Sequence, residues 1–294
     1  MRALRIRAYG GPEVLRLEEA AVPVPAAGQL LAKVRAASVN PIDWKMRRGM
    51  LAGVFPLAFP RTLGRDCAGE VNGRMLAGVA DPRSEGTHAE YAVLPGAQCA
   101  PVPAGLDPAD AASLCVSGLS AYIPLVEIAR VAPGMKVLIH AGAGGVGSLA
   151  IQIARHLAAE VIATASAANR EYCEGLGASR VVNYRSEDFA AAGPFDMVLD
   201  SIGGETHVRS IAALAPGGRV VALQAAPIPE GTDKSLAVMA QIQPTRERLE
   251  RIFAWAAAGV LRPQVTQAFS LEQAAQAYAL SEAGHLRGKI VILP

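Results

Sequence analysis

No two cysteines in this chain are spaced like a metal-binding or redox pair. Cys67, Cys99, Cys115 and Cys173 are scattered, which sets aside a disulfide scaffold and predicts free thiols in a reducing cytoplasm. The five histidines (His88, His140, His156, His207 and His285) show no ligand spacing, so no metal site is predicted. Only 18% of the residues are charged against 51% hydrophobic, which excludes a disordered chain. The net charge is only +2 and no Lys/Arg stripe occurs, so nucleic acid is not an expected partner. The apolar runs are short and broken by Gly, Pro or charge, so no membrane span is expected. The N-terminal segment alternates like a strand and lacks the apolar stretch of a signal peptide.

What is present divides the chain in two. Up to about residue 115, short β-like runs such as 30–35 and 90–94 are cut by Gly and Pro, the punctuation of a barrel-like β domain. A proline-rich linker at 101–108 leads into an Ala-rich helix around 109–114. Strands are then predicted at 136–140, 160–164, 180–184, 195–200 and 219–223, the last after the turn Pro216-Gly217-Gly218. Between them lie helical patterns, one with Leu149, Ile153 and Leu157 at i, i+4, i+8 and one over 170–176 closed by Gly177. Strands alternating with helices imply a doubly wound parallel sheet, a Rossmann-type α/β architecture. A helix over about 245–258 ends at Gly259, and the tail 288–293 reads as a strand that can return to the first domain.

Gly142-Ala143-Gly144-Gly145-Val146-Gly147 fits GxGxxG. In a chain with 29 glycines that hexamer means little alone, but here a strand precedes it and a helix follows. Gly142 is expected to permit the tight turn, Gly144 to admit the pyrophosphate, and Gly147 to let helix and strand pack closely. The helix N-terminus supplies N–H groups and a positive dipole end. After the second strand the chain reads Thr164-Ala165-Ser166, with no carboxylate for a ribose 2′-hydroxyl. Ser166 and Arg170 can instead donate to a 2′-phosphate, which favours NADP(H) over NAD; the alternative for Arg170 is a solvated helix-start residue. No tyrosine has a lysine four residues on, which sets aside a short-chain dehydrogenase.

Four segments carry a family resemblance across nearly the whole chain. They are Ser38-Val39-Asn40-Pro41-Ile42-Asp43-Trp44-Lys45, Gly64-Arg65-Asp66-Cys67-Ala68-Gly69, the stretch 141–147, and His285-Leu286-Arg287-Gly288-Lys289-Ile290-Val291. With these the chain resembles the zinc-less medium-chain dehydrogenases/reductases, in the quinone oxidoreductase and zeta-crystallin branch. The resemblance implies a GroES-like β-barrel domain over 1–115 with 260–294, a Rossmann NADP-binding domain over 116–259, and a homodimer. It assigns Asn40 and Lys45 to the catalytic site and the nicotinamide end. It assigns Ser120, Gly142, Ala143, Gly144, Gly145, Val146, Gly147, Ser166, Arg170, Tyr184, Ser201, Leu223 and Gln224 to the cofactor. Where zinc-dependent relatives carry Cys and a His-Glu pair, the chain reads Asn40-Pro41 and Gly64-Arg65-Asp66. It departs from the branch by compression over 70–86 and trimming over 223–242.

Without a Lewis acid to strip a hydroxyl proton, alcohol oxidation is disfavoured. The expected activity is hydride transfer from NADPH to a small-molecule electrophile, a quinone or an α,β-unsaturated carbonyl. Lys45, or alternatively a ribose hydroxyl of the cofactor, would stabilise the developing oxyanion, Asn40 would orient a donor or the nicotinamide amide, and Asp43, with an ordinary carboxyl pKa, would hold its loop. A non-catalytic NADPH-binding redox sensor, and a subunit that has lost its cofactor, are the alternatives.

Overall fold

The computed structural model describes residues 1–224, 230–231 and 233–294. Part of the trimmed stretch 223–242 therefore lies outside the described residues. The chain forms two compact units. One comprises 1–116, 244–259 and 263–294, and the other 117–243 with 260–262.

In the first unit, β1 (Arg2–Ile6) pairs antiparallel with β2 (Arg16–Glu19) and with β4 (Arg61–Thr62). A larger sheet is built on β3 (Gln29–Ser38), the longest strand, whose Ala32, Val34, Ala36, Ala37 and Ser38 are buried. Along β3 run β5 (Asp66–Val71) and β7 (Tyr91–Pro95), and β5 continues through β6 (Arg74–Val79) to β8 (Ala100–Pro101), all antiparallel. Helix α1 (Pro41–Arg47) leaves the end of β3. The tail returns as expected. After β15 (Val265–Ser270), the last strand β16 (Lys289–Leu293) inserts between β15 and β3. One core of this unit gathers Leu4, Ile6, Val39, Met46, Leu63, Tyr278, Ile290 and Ile292.

Helix α2 (Pro108–Tyr122) is longer than the Ala-rich patch suggested and contains the boundary between the units at Val116 and Ser117. It continues through a π-helical turn, Ile123–Ile128. The continuous helix Pro108–Ile128 has 21 residues and, by length and composition alone, is apolar enough to cross a membrane, a longer apolar helix than the sequence runs suggest. Its most apolar stretch is 72% buried within the protein, where small residues such as Ala111, Ala112, Ser113 and Ala121 pack closely.

The second unit holds a six-stranded parallel sheet of β9 (Lys136–Ile139), β10 (Glu160–Ala165), β11 (Arg180–Asn183), β12 (Phe195–Asp200), β13 (Leu214–Ala222) and β14 (Ala237–Met239). The strand order is β11-β10-β9-β12-β13-β14. Its core includes Leu138, Ile162, Val182, Phe195, Val198 and Val220. Between β9 and β10 runs α3 (Gly145–His156), between β10 and β11 α4 (Arg170–Leu176), and between β12 and β13 α5 (Gly204–Ala212). Gly177 closes α4 with φ 117°, a left-handed cap that suits glycine. The pattern reading missed β14, three residues at the sheet edge, and α5, which starts at a Gly-Gly pair.

Helix α6 (Arg246–Ala257), N-capped by Thr245, was expected in the Rossmann domain but belongs to the first unit, where it packs on β8. Leu249, Ile252 and Phe253, one apolar stripe at helical spacing, are its buried face. Helix α7 (Ala274–Ala283) packs on α1 and β16 in the same unit.

Candidate active site

The order of the parallel sheet reverses at β9, whose neighbours β10 and β12 lead outward in opposite directions. Ligands of open α/β sheets bind beyond the carboxyl ends of the strands at such a point. The glycine-rich turn follows β9 at this position, and Ser201 follows β12.

The turn is set by packing rather than by glycine torsions. Its one left-handed residue is Ala141, φ 51°, and not Gly142. A Cβ on Gly142 would come within 2.9 Å of Ala163 Cβ and 3.2 Å of Ile151 Cδ1, so glycine is needed there for close approach to β10 and α3. A Cβ on Gly147 would lie 2.2 Å from the Ala141 carbonyl oxygen, which is backbone and cannot yield. Gly144 differs. Its Cβ would meet only Ala141 O at 3.4 Å, ordinary contact, and its φ of −75° suits any residue. Nothing inside the protein requires glycine at 144. As N-cap of α3 it brings no side chain to the helix's first N–H groups. An open backbone surface at an uncapped helix N-terminus fits a pyrophosphate.

Thr164 braces this turn from β10. Its Oγ1 accepts from Ala141 N at 3.2 Å, and its carbonyl accepts from Gly142 N at 2.8 Å. The hydroxyl proton is directed at His140 Nδ1, 3.1 Å away. His140 Nε2 donates to Ser210 Oγ at 2.9 Å, because the Ser210 hydroxyl already donates to Thr206 O. Burial therefore holds His140 neutral and lowers its pKa to about 4. On the far side, Asp200 Oδ1 accepts from Ile202 N and Gly203 N while Oδ2 pairs with His207 Nδ1 at 2.7 Å. These bonds shape the loop that carries Ser201. Gln224 Nε2 donates to Ser201 O at 2.6 Å, and Leu223 N bonds Asp200 O. Ser201, Leu223 and Gln224 thus cluster, and Ser120 is buried on α2. The brace of Thr164, His140 and Ser210 went unrecognised in the sequence, since the histidine and its partners are far apart along the chain.

At the ends of β10 and β11 the side chains are partly engaged. Arg170 donates to Val181 O at 2.6 Å and to Glu187 Oε1 at 2.8 Å. Its fork faces acceptors of the protein, an engagement that neither reading of the sequence named. Ser166 Oγ accepts from Asn169 Nδ2. Tyr184 is half exposed, and the guanidinium of Arg185 sits 5.7 Å from its ring centroid. Arg185, an exposed cation beside Tyr184, was not singled out from sequence.

Asn40 and Lys45 stand in the first unit, at either end of α1. Pro41 opens the helix at its first turn, and the Asp43 carboxylate reaches back to accept Asn40 N–H at 2.7 Å. Asp43 thus holds the loop, but its pKa is not ordinary. Burial pushes it up to about 7, opposed by the Asn40 N–H bond and reinforced by Asp66. Its Oδ1 has no hydrogen-bond partner among the described residues, nor has Thr62 Oγ1, and both residues line one small cavity of about 10 Å³. That is close to the room needed by a single water.

The amide of Asn40 is spent within the protein. Oδ1 accepts from Lys289 Nζ at 2.6 Å, and Nδ2 donates to Asp66 Oδ1 at 2.9 Å and to Ser38 Oγ at 3.2 Å. Both amide protons are committed within the protein, and Asn40 is held as the N-cap of α1. Asp66 also accepts from Ser38 Oγ and from Val116 N. Lys289 Nζ donates as well to Val39 O at 2.9 Å. Burial lowers the Lys289 pKa, and Asp66 and Asp43 oppose that shift. Lys45 is half-buried, which lowers its pKa, and its ammonium lies 5.6 Å from the Trp44 ring centroid. His88 fills out the cluster, donating from Nε2 to Ser38 O and accepting at Nδ1 from Tyr278. Among the described residues no three His, Cys, Asp or Glu side chains converge on a point that could hold a metal ion.

Comparison with known proteins gives two family matches. An alcohol dehydrogenase GroES-like domain matches residues 26–74, and a zinc-binding dehydrogenase domain matches 176–292. Among curated proteins, the 2-methylene-furan-3-one reductase of Solanum lycopersicum is 33% identical over 319 residues, covering all of this chain and 79% of that protein. Among solved structures, the quinone oxidoreductase from Coxiella burnetii superposes with a TM-score of 0.92 at 35% identity, covering 100% of this chain and 99% of that one. A mycobacterial protein solved in complex with NADPH superposes at 0.87 with 28% identity, covering both chains in full.

Proposed function

Because this chain belongs to the quinone oxidoreductase branch of the medium-chain dehydrogenases/reductases, we propose that it reduces a quinone or an α,β-unsaturated carbonyl with NADPH. The observation that carries the reading is Gly144. It is a glycine that the protein's own packing does not need, at an uncapped helix N-terminus on the switch point of a parallel sheet.

The residues at the strand ends divide the work. The first N–H groups of α3 hold the pyrophosphate. Ser166, Tyr184 and the Arg185 guanidinium receive the 2′-phosphate, with Arg170 available if its bond to Glu187 yields. Ser120, Ser201, Leu223 and Gln224 border the ribose and nicotinamide. When bound, NADPH supplies the hydride, and solvent supplies the proton that completes reduction of the acceptor. Lys45, its ammonium partly desolvated, donates to the acceptor oxygen as negative charge develops there. Asn40 holds the start of α1 and so the placement of Lys45.

The activities for which the relatives are named support this reading, as does the NADPH-bound neighbour. A homodimer is part of the proposal. β14 is a three-residue edge strand with Met239 half exposed, and among the described residues it pairs only with β13. A reducing cytoplasmic setting suits four buried free cysteines.

The test is oxidation of NADPH and NADH, followed by absorbance, with 1,4-benzoquinone, 9,10-phenanthrenequinone and an enone, in the presence of EDTA. NADPH-selective turnover insensitive to EDTA is expected. Tight NADPH binding with no turnover of any acceptor would replace this reading with that of a redox sensor.

A further inference from the structure

The buried cluster at the start of α1 contains a cation that the proposed chemistry does not use. Lys289 is the first residue of the last strand and is 6% exposed. Its backbone is pinned by a bond from its N–H to Gln264 O at 2.7 Å, and Val39 N bonds the next carbonyl, that of Ile290. The ammonium is thereby carried to the junction between β3 and α1, where it donates to Val39 O and Asn40 Oδ1.

We propose that Lys289 is the positioning residue of the active site: its ammonium orients the Asn40 amide and so fixes the first turn of α1, the helix that presents Lys45. This inference rests on the reductase reading above. An amide can be turned over, exchanging its oxygen and nitrogen, and only its neighbours decide which way it faces. Here Lys289 can only donate and the Asp66 carboxylate can only accept, so the two together permit one orientation. The side chain so held belongs to the N-cap residue of α1, whose backbone N–H donates to Asp43 Oδ2 at 2.7 Å just before the helix begins at Pro41. A charge on a flexible surface stem would give no such fixity. The pinned backbone of β16 and the closure of the site against water do.

The cluster is electrically shared. Asp43 faces Lys289 from β16, Asp66 from β5, Arg65 just before β5, and Tyr278 from α7, with Arg61 and Asp81 lining the cavity at its Oδ1. Lys289 lowers the Asp43 pKa. Removing the ammonium therefore moves the Asp43 titration to higher pH, an effect that loss of packing alone does not produce.

The experiment compares wild type, Lys289→Met, Asp43→Asn and the double variant K289M/D43N, each also with Trp255→Phe so that Trp44 is the only tryptophan. D43N keeps the acceptor for Asn40 N–H while removing the charge, so the double variant leaves Asp66, held by Ser38, Asn40 and Val116, as the one carboxylate of this cluster that loses its cation. Expected for K289M is a fall in kcat toward about 100-fold, the cost of a misplacement near 1 Å, with NADPH affinity within about threefold of wild type. The double variant should regain the part of the thermal stability that Asp43 cost, while remaining as far below D43N in kcat as K289M is below wild type. Equal kcat in D43N and the double variant would reduce Lys289 to a counter-charge and overturn the proposal. Trp44 emission, titrated against pH, gives a readout free of catalysis. Its midpoint should lie near 7 in wild type, vanish in D43N, and rise by about one pH unit or more in K289M. If wild type turned over no acceptor, the reductase reading would fall while this titration still judged Lys289. Identical titrations of wild type and K289M would reject it.

Discussion

Replacing Gly144 by alanine separates a glycine kept for a ligand from glycines kept for the fold. The added methyl meets only the Ala141 carbonyl oxygen at 3.4 Å, and the backbone at φ −75° accepts it without strain. Folding should be unharmed, or aided by about 0.4–1 kcal/mol through the unfolded chain. In the complex, the methyl would occupy the surface against which a pyrophosphate must lie. Losing one or two charge-assisted hydrogen bonds costs about 1.5–3 kcal/mol each, roughly a 100-fold rise in Kd for NADPH. Melting curves with and without NADPH read both quantities. At a concentration of about 100 Kd, the wild type gains about 2.7 kcal/mol, whereas a 100-fold weaker variant gains only about 0.4 kcal/mol. At about 2–4 °C per kcal/mol, that is a ligand-induced rise of about 5–10 °C against about 1 °C. Gly147→Ala is the contrast, since its methyl would sit 2.2 Å from a backbone oxygen and should lower stability by about 1–3 kcal/mol before any ligand is added. If G144A bound NADPH like wild type, or lost stability as G147A does, the assignment of the turn would be wrong.

Arg185→Ala should weaken NADPH binding about tenfold and leave NADH unchanged; equal effects on both would remove Arg185 from the 2′-phosphate site. Arg47 is fully buried, pairs with Glu282 at 2.5 Å and donates to Gly10 O, so Arg47→Ala, which empties this buried site and leaves Glu282 only its second partner, Arg48, should cost about 2–5 kcal/mol by denaturant melts. Two opposed titrations shape the acid limb of stability. His88 and His140 have folded pKa values of about 4, below the unfolded value near 6.5, so their contribution is present above that value and is lost as pH falls toward 4. Asp43 is raised to about 7, so its contribution has the opposite sign, present at low pH and lost as pH rises through 7. Asp43→Asn should therefore steepen acid destabilisation between about pH 4 and 6.5 by up to about 1.4 kcal/mol per pH unit, and an unchanged slope in urea melts would refute it.

Periodicity and glycine placement carried most of the second unit. The strands around β9, β10, β11 and β12, the helix closed by Gly177, and the turn at 142–147 all announce themselves locally, because each is made of neighbours in sequence. The edge strand β14 has three residues and no period to read. Helix α6 showed its length and stripe, but not the unit it joins, since an apolar stripe does not name its partner. The same limit hid the roles of Asn40 and Lys289. Both lie in segments that carry the family resemblance, yet 249 positions separate them, and only the folded chain shows the amide taken up by the ammonium. Arg170 was readable as a phosphate ligand or a solvated helix-start residue, and only the folded chain shows Glu187, 17 positions on, taking up its fork.

The insertion of β16 between β15 and β3 also governs the order in which the molecule can be made. On the ribosome, the parallel sheet has all its strands once residue 239 has emerged, and it can close while the tail is still being synthesised. The first unit has to wait. Its sheet lacks an internal strand, and Asp43 and Asp66 lack their ammonium, until the last residues of β16 are free to enter beside a strand made more than 250 residues earlier. The part of the chain translated first is therefore the last to become native, and through that interval an open edge of β3 is exposed to pairing with other chains.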